Sequence, residues 1–586
     1  MRYLYPGDCA RARVFCGLLL GILAVFTIHA VSVPPDGGLI PFKEVKAGMT
    51  GTGYTVLRGT DVVPFSVSVL GKVDRGPVSP RMIVCRIDEK LFSKTGLLHG
   101  MSGSPVYVNG KLLGAVSSGW AFSKEPLCGL TPAEDLLKLK KRADSHSSPR
   151  PSPVSVENLP ERMAKIADSS GVSFLPPGGS EVMKRLLGEG FEWSGRLTGG
   201  DAEKSTVPGP GGMIGVQLVS GDFNFTAFGT ISWKRGDEFV AFGHPFLGLG
   251  PIKAPVVSAR VITPVPSFQS GFKLCEGGSP LGVVLRDGST GVYGRFGAGA
   301  DTLPITLSFS GTGLPARNYR FEVVRQSTLS PLLVGGALQY FWQTLEGNFQ
   351  DQTYSLEGFT ITRANGPPIE LRSQIFAGPS AASLLSHFVS NALNIVINNP
   401  YGKVPVERLQ LHVKALSGDR TGRVVEAWLD RSVVVSGEPL VLKVKLLPFQ
   451  GKERIISIPL PTRKLGVGRV ELAVGDGSEL LKEISAARPA KPGNVNDLLN
   501  RLRSFPGKDS VIVAAFRKGS TFAVDGKRLD NLPSSVGLLL KASPRGTPEN
   551  DDAKRLLWLG SAPTGKMVQG TVKLSFKIKE RNDEGS

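Results

Sequence analysis

The chain has 586 residues, of which 72 are glycine and 43 are proline, and its 69 Lys and Arg residues outnumber its 50 Asp and Glu residues to give a net charge of +19. The glycines and prolines show no three-residue period, which excludes a collagen-like fibre. A hydrophobic share of 41% excludes wholesale disorder and a protein with many membrane spans. A large, turn-rich, mainly β protein of roughly four domains is the class that remains.

The N-terminus predicts export. Several arginines precede an uncharged apolar run from Val14 to Ile28, and Ala30 follows as a small residue suited to cleavage. This is the layout of a secretory signal, and an uncleaved anchor is the alternative. We therefore expect residues 1–30 to be a signal peptide or N-terminal anchor, and the protein to be periplasmic, extracytoplasmic or associated with the cell envelope. An exported protein rarely meets nucleic acid, so none is expected as a partner.

Cysteine and histidine are sparse. Cys85, Cys128 and Cys275 remain after the predicted cleavage, so at most one disulfide forms, and the sequence does not select the pair. No C-x-x-C, H-E-x-x-H or P-loop motif occurs, and no glycine pattern fits a dinucleotide site. We therefore expect no metal and no cofactor.

Residues 31–142 are predicted to form a first β lobe. The Asn109-Gly110 pair is typical of a type I′ hairpin. Thr131 as N-cap, Pro132 and Glu134 predict a helix that ends near Arg142. The strands are expected at Gly53–Leu57, Phe65–Leu70, Met82–Ile87, Pro105–Val108 and Lys111–Val116.

The rest of the chain is divided by composition and periodicity. Residues 143–205 are expected to be a linker that starts rich in Ser and Pro and contains short helices, and residues 206–378 a second β lobe. A helix at 380–397 and alternating strands at 405–475 predict a β-sandwich-like domain at 379–485. A helix at Val495–Phe505, a strand at Ser510–Phe516 and a final strand at Val568–Ile578 predict a small α+β domain at 486–586.

The segment Gly-Met-Ser-Gly-Ser-Pro at 100–105 carries the clearest chemical signal. A serine nucleophile needs a tight turn that exposes its hydroxyl, together with backbone N–H groups that converge on the developing oxyanion. Small residues around Ser102 permit that turn. Ser102 is the candidate nucleophile, and the N–H groups of Gly100 and Ser102 are the candidate oxyanion donors. A glycine-rich turn with incidental serines is the alternative.

This segment resembles the Ser block and following hairpin of trypsin-like serine proteases, and more specifically the SpoIVB peptidase family (the sporulation stage IV B peptidase). A second block resembles the family's His-bearing half. Here the Ser block precedes the His block, whereas the family has His first, so the halves are permuted. The residues that carry the resemblance are Asp88, Lys94-Thr95-Gly96, Gly100 to Pro105 and Asn109-Gly110-Lys111 in the first block, and Gly221-Asp222, Ala227 to Ile231, Phe242-Gly243-His244, Gly291 to Gly294 and Leu303-Pro304-Ile305 in the second.

The resemblance implies a mainly β, two-lobed, trypsin-like β-barrel peptidase unit in permuted order, followed by the two C-terminal domains. Carried over by position, Ser102 is the nucleophile, His244 the base, and Asp88 the acid that orients the imidazole. Asp222 also falls on a matched position and is the rival carboxylate.

The other chemically able residues are weaker candidates. His99 is a rival base, but a side chain three residues from Ser102 in a tight turn points poorly at the hydroxyl. Ser104 is expected to face away from the cleft, and Asp237 and Asp287 to be ordinary hairpin-turn acids. The two remaining candidates, expected to serve packing or the surface, are His387 and His412.

The predicted function is that of an exported, cofactor-free serine endopeptidase that cleaves a protein substrate at the cell envelope through an acyl-enzyme. Its expected partners are that substrate, with the chain itself as an alternative substrate, an envelope-associated protein, and the membrane through peripheral or anchored contact. A catalytically inactive β-rich envelope scaffold or binding protein on the same fold is the first alternative. A protein that binds polyanions or an anionic surface is the second, suggested by the basic charge.

Overall fold

The computed structural model is mainly β. It describes residues 37–143, 191–192 and 206–580, apart from short breaks within 75–79, 89–95, 121, 268–270, 312–313, 347–351, 488–493, 505–506, 519–545 and 550–553. The predicted signal peptide at 1–30 and nearly all of the predicted linker at 143–205 lie outside the described residues. Among the described residues, no helix is both long enough and apolar enough to cross a membrane.

The first lobe is a closed barrel of six antiparallel strands in the order β1-β2-β3-β7-β6-β5. Alternating apolar side chains such as Phe65, Ile83 and Leu113 fill its interior. The predicted hairpin is confirmed, with Asn109 and Gly110 both at positive φ. The elements are β1 (Thr50–Val56), β2 (Val62–Val73), β3 (Met82–Ile87), β4 (Leu98–His99), β5 (Pro105–Val108), β6 (Lys111–Gly119), β7 (Leu127–Pro132) and α1 (Ala133–Ala143).

The second lobe belongs to a 14-stranded sheet that also includes β4 of the first lobe, paired with β13. Strands β9, β12, β13, β14, β11 and β10 are successive antiparallel neighbours, and β10 pairs back with β9, so these strands form a closed circuit. The strands between residues 191 and 324 are β8 (Phe191–Glu192), β9 (Met213–Gly221), β10 (Phe225–Arg235), β11 (Glu238–Ala241), β12 (Gly250–Val265), β13 (Gly271–Gly288), β14 (Gly291–Phe296), β15 (Thr302–Gly311) and β16 (Leu314–Val324).

Two helices pack together on the remainder of this sheet, where Trp342 donates its indole N–H to Ser386 Oγ at 3.0 Å. The second helix was predicted, whereas the first was not, because it contains Gly335 and Gly336, which disfavour a helix. Strand β20 lies between β15 and β17 and is parallel to β15. The elements are α2 (Leu329–Glu346), β17 (Gln352–Arg363), β18 (Ile369–Leu371), β19 (Gln374–Ala377), α3 (Ala381–Ile397) and β20 (Val406–Ser417).

In the C-terminal part, a four-stranded and a five-stranded sheet share one core that includes Val444, Leu472 and Phe576. The predicted final strand is divided at Gly570, whose φ is 78°, so that its halves join different sheets. The elements are β21 (Thr421–Leu429), β22 (Val433–Val435), β23 (Leu440–Pro448), β24 (Arg454–Leu460), α4 (Thr462–Leu465), β25 (Gly468–Gly475), α5 (Gly477–Ala486), α6 (Val495–Arg503), β26 (Ser510–Lys518), β27 (Thr521–Val524), β28 (Lys527–Asp530), β29 (Gly546–Glu549), β30 (Lys554–Pro563), β31 (Met567–Gln569) and β32 (Thr571–Lys579). The domain boundaries given above remain predictions; the one at 485 falls between β25 and β26, which are hydrogen-bonded neighbours.

Candidate active site

Residues 100–104, here called the nucleophile turn, connect β4 to β5. Gly100 and Gly103 adopt φ values of 90° and 92°, which favour glycine. A Cβ on Gly103 would lie 2.0 Å from the Thr230 carbonyl oxygen and 2.6 Å from the Phe242 nitrogen. The nucleophile turn is therefore seated directly on the backbone of the second lobe, at a place where only glycine fits.

The backbone N–H groups of this turn fall into two sets. Those of Met101, Gly103 and Ser104 donate to backbone carbonyls at 3.0, 2.7 and 2.8 Å. Those of Gly100 and Ser102 find no acceptor within the described part of the chain. These two N–H groups are the ones that the sequence predicts as oxyanion donors.

His244 lies on a second turn, residues 242–244, that follows β11. Phe242 and Gly243 both have positive φ, at 70° and 69°. A Cβ on Gly243 would lie 2.6 Å from the Val116 carbonyl oxygen, and the Thr131 hydroxyl donates to the Gly243 carbonyl at 2.6 Å. Thr131, expected to cap α1, is therefore a strand residue that fastens the His244 turn to the barrel.

The structure thus brings the turns of Ser102 and His244 into contact, through Gly103 and Phe242. The Ser102 backbone carbonyl also accepts a hydrogen bond from the Thr230 N–H at 2.8 Å, on the strand that pairs with β11. Over the residues that are described, no hydrogen bond joins the Ser102 hydroxyl to the imidazole. Such bonds are often long before a substrate binds.

The His244 ring has a defined tautomer. Nδ1 lies 2.7 Å from the Pro245 carbonyl oxygen, which only accepts, so Nδ1 carries the proton and Nε2 offers its lone pair. Burial lowers the pKa of His244; the hydrogen bond to Pro245 and the Asp287 carboxylate oppose this effect, while the His99 imidazole adds to it. The side chain is therefore neutral at neutral pH, as a general base must be.

The two carboxylates selected from the sequence lie elsewhere. Asp88 is exposed after β3, where it accepts hydrogen bonds from the Ser68 hydroxyl and from Arg86 Nε. The bond from Ser68 is the main cause of the lowered pKa of Asp88. Asp222 is also exposed and accepts the Arg320 N–H at 2.6 Å. Neither carboxylate is hydrogen-bonded to His244 among the described residues.

A carboxylate that the sequence analysis set aside lies beside the His244 turn. Asp287, expected to be a hairpin-turn acid, is only 1% exposed, and that expectation was wrong. Its carboxylate accepts the N–H groups of Phe246, Leu247 and Leu249 at 2.9, 2.7 and 3.0 Å. These donors are some forty residues away in sequence, so no local pattern marks Asp287.

Of the remaining candidates, one is buried and three are exposed. Ser104 is buried and donates to Thr55 Oγ1 at 2.9 Å, whereas His99, His387 and His412 are exposed. The described residues contain no group of three or more His, Cys, Asp or Glu side chains placed to hold a metal ion.

Residues 39–131 match the family model of the SpoIVB peptidase S55. The matched segment covers the barrel and contains Asp88 and Ser102, whereas His244 lies outside it. No curated protein and no solved structure matches the chain. The resemblance inferred from the first block is confirmed over these residues, and the match indicates serine peptidase function.

Proposed function

We propose that this protein is a serine endopeptidase that cleaves a protein substrate through an acyl-enzyme, with Ser102 as nucleophile and His244 as base. The match over residues 39–131 supports peptidase chemistry. The observation that carries the residue assignment is the contact between the two turns through Gly103 and Phe242.

In this mechanism His244 Nε2 removes the Ser102 proton while Oγ attacks the substrate carbonyl. The negative charge that forms on the carbonyl oxygen is stabilised by the N–H groups of Gly100 and Ser102. His244 then gives its proton to the leaving amine, and the C–N bond breaks. Water, deprotonated by the same imidazole, then attacks the acyl carbon; the bond between that carbon and Ser102 Oγ breaks, His244 returns the proton to Oγ, and the carboxylic acid product leaves.

The acid that orients the His244 imidazole stays a prediction from the sequence, as Asp88 or its rival Asp222. We propose Asp287 as a positioning residue, because it holds three N–H groups of the segment that follows His244. The Nδ1 proton of His244 is meanwhile held by the Pro245 carbonyl. Asparagine variants of the three acids, compared by their rates of fluorophosphonate labelling, rank these roles, because only the acid that acts on His244 should change the rate.

We further propose the trypsin-like two-barrel arrangement in permuted order. It is supported by two closed antiparallel strand circuits: Ser102 directly precedes β5 of the first, and His244 lies between β11 and β12 of the second. The N-terminal sequence supports export, and we propose an envelope protein, or the chain's own linker at 143–160, as substrate. Mass spectrometry of the purified protein after incubation tests the self-cleavage.

Labelling with a fluorophosphonate probe tests the proposed function. We expect labelling of the wild type, loss in Ser102→Ala, and retention in Ser104→Ala, the matched control two residues away. We also expect His244→Gln to lose labelling and His99→Gln to keep it. Absence of labelling in the folded wild type, or equal labelling of Ser102→Ala, would favour the inactive scaffold instead.

A further inference from the structure

One buried charge beside the nucleophile turn has no part in the mechanism above. Lys273 lies on β13 and is only 3% exposed. Strand β13 runs parallel to β4 and pairs Phe272 with His99, so that Lys273 comes next to Gly100. Lysine is almost never fully buried without a partner of opposite charge, so its position here calls for a reason.

Within the described part of the chain, the Lys273 ammonium contacts only uncharged groups. Nζ lies 2.7 Å from Thr55 Oγ1, 3.2 Å from the Gly100 carbonyl oxygen and 3.4 Å from Met213 Sδ. Its aliphatic stem packs on Gly100, where an added Cβ would lie 3.3 Å from Lys273 Cδ. A buried ammonium without an anion destabilises a fold, and such groups concentrate at functional sites.

The Gly100 carbonyl occupies a sensitive place in the turn. It belongs to the peptide between Gly100 and Met101, so its orientation helps to set the angle between the N–H groups of Gly100 and Ser102. Two side chains of the second lobe hold it, Lys273 Nζ at 3.2 Å and Thr230 Oγ1 at 2.9 Å. Glycine has wide backbone freedom, so these bonds restrict a peptide that is otherwise free to rotate.

We propose that Lys273 is a positioning residue of the nucleophile turn, whose ammonium holds the Gly100 carbonyl so that the N–H groups of Gly100 and Ser102 converge on the oxyanion. This proposal rests on the proposed peptidase function. It gives the buried charge a role that a neutral side chain of the same size does not fill.

The same contacts make the turn sensitive to pH. Burial lowers the pKa of Lys273 to about 7, opposed by Cys275 on the same strand. The titratable group on the neighbouring strand β4 is His99, which pairs with Phe272 and is exposed to solvent. Loss of the ammonium proton weakens the bond to Gly100, because charge-assisted hydrogen bonds are roughly twice as strong as neutral ones. The uncharged groups that face the ammonium from β1, β9 and the turn are Thr55, Met213 and Gly100.

The test is the rate of fluorophosphonate labelling between pH 6 and pH 9 in the wild type and in Lys273→Met. The wild-type rate is expected to fall above about pH 7, and the Lys273→Met rate to be lower by about tenfold at pH 6.5, without that alkaline decline. Lys253→Met, the same change at an exposed position of β12, is the matched control and keeps the wild-type profile. Thr230→Val removes the other bond to Gly100, so it slows labelling but retains the decline.

The free energy of unfolding of the wild type and of Lys273→Met gives a second measurement that does not depend on activity. A lowered folded-state pKa means that folding favours the neutral amine, so Lys273 contributes stability as pH rises from about 7 towards the unfolded value of about 10.4. The unfolding equilibrium constant of the wild type, divided by that of Lys273→Met, is expected to fall about tenfold per pH unit in that range.

The outcomes separate the two proposals. If the wild type is labelled at Ser102 and folded Lys273→Met has the same rate and pH profile, the positioning role is overturned while the peptidase function stands. A stability ratio that does not change with pH contradicts the lowered pKa of Lys273 and the alkaline decline expected from it. If the wild type is not labelled, the proposed function fails, and the positioning role fails with it.

Discussion

Gly103→Ala is the substitution that most sharply tests the contact between the two turns. The new Cβ would lie 2.0 Å from the Thr230 carbonyl oxygen, whereas such contacts do not fall below 3.0 Å, so the turns must separate by about 1 Å. A displacement of this size at a catalytic centre costs about 100-fold in rate. The φ of 92° adds about 1–2 kcal/mol of strain for any residue with a Cβ. We expect fluorophosphonate labelling about 100-fold slower, together with a lower melting temperature.

The matched control for this variant is Gly110→Ala. Gly110 has a φ of 76°, but a Cβ there meets no atom within 4 Å. It therefore shares the backbone strain without the separation of the turns, and we expect a small loss of stability with a wild-type labelling rate. If folded Gly103→Ala reacts as fast as Gly110→Ala, the contact through Gly103 does not position the nucleophile.

Three further predictions concern groups around the site and in the barrel. Because the folded-state pKa of His244 is lowered, the fall in labelling rate on the acid side should have its midpoint below the ordinary value of 6.5, and stability should also decrease as pH falls through that range. A midpoint above 6.5 contradicts this. Asp287→Asn places an amide donor against backbone donors, so it should lower the free energy of unfolding by about 1–3 kcal/mol and slow labelling. The control is Asp88→Asn at an exposed position, which should change the free energy of unfolding by less than about 0.5 kcal/mol. If the two variants have equal effects in denaturation and labelling experiments, Asp287 does not have the proposed role. A hydrogen bond to Cys128 and burial raise the pKa of the Cys85 thiol, and both thiols are buried in the barrel. Both should therefore react with a disulfide reagent only after unfolding. Reaction of the native protein would contradict this and show that the barrel opens.

Most of the fold follows from local sequence patterns. Strand alternation and the Asn109-Gly110 turn indicated the first lobe, because both depend on neighbouring residues alone. The amphipathic helix at 380–397 was predicted for the same reason. Helix α2 was missed because its two adjacent glycines disfavour a helix in isolation, and packing against the sheet, where Trp342 is fully buried, overrides that preference.

The candidate site could be predicted where its residues are close in sequence. The turn around Ser102 is encoded in six consecutive residues, and the roles assigned to its hydroxyl and N–H groups stay predictions. Asp287 and Lys273 were not predictable, since each acts on a segment that is distant in sequence and each lies in a strand where a charged residue is expected to face solvent. Asp88 likewise finds its partners Ser68 and Arg86 only through the register of β2 and β3, which the sequence does not reveal.

The proposed activation of Ser102 by the second lobe can be tested by peptide mapping of the folded protein by mass spectrometry after reaction with the fluorophosphonate probe. We expect a single adduct on Ser102, which disappears in His244→Gln. An adduct on Ser104 or on any other residue, or an adduct on Ser102 that persists in His244→Gln, would contradict it.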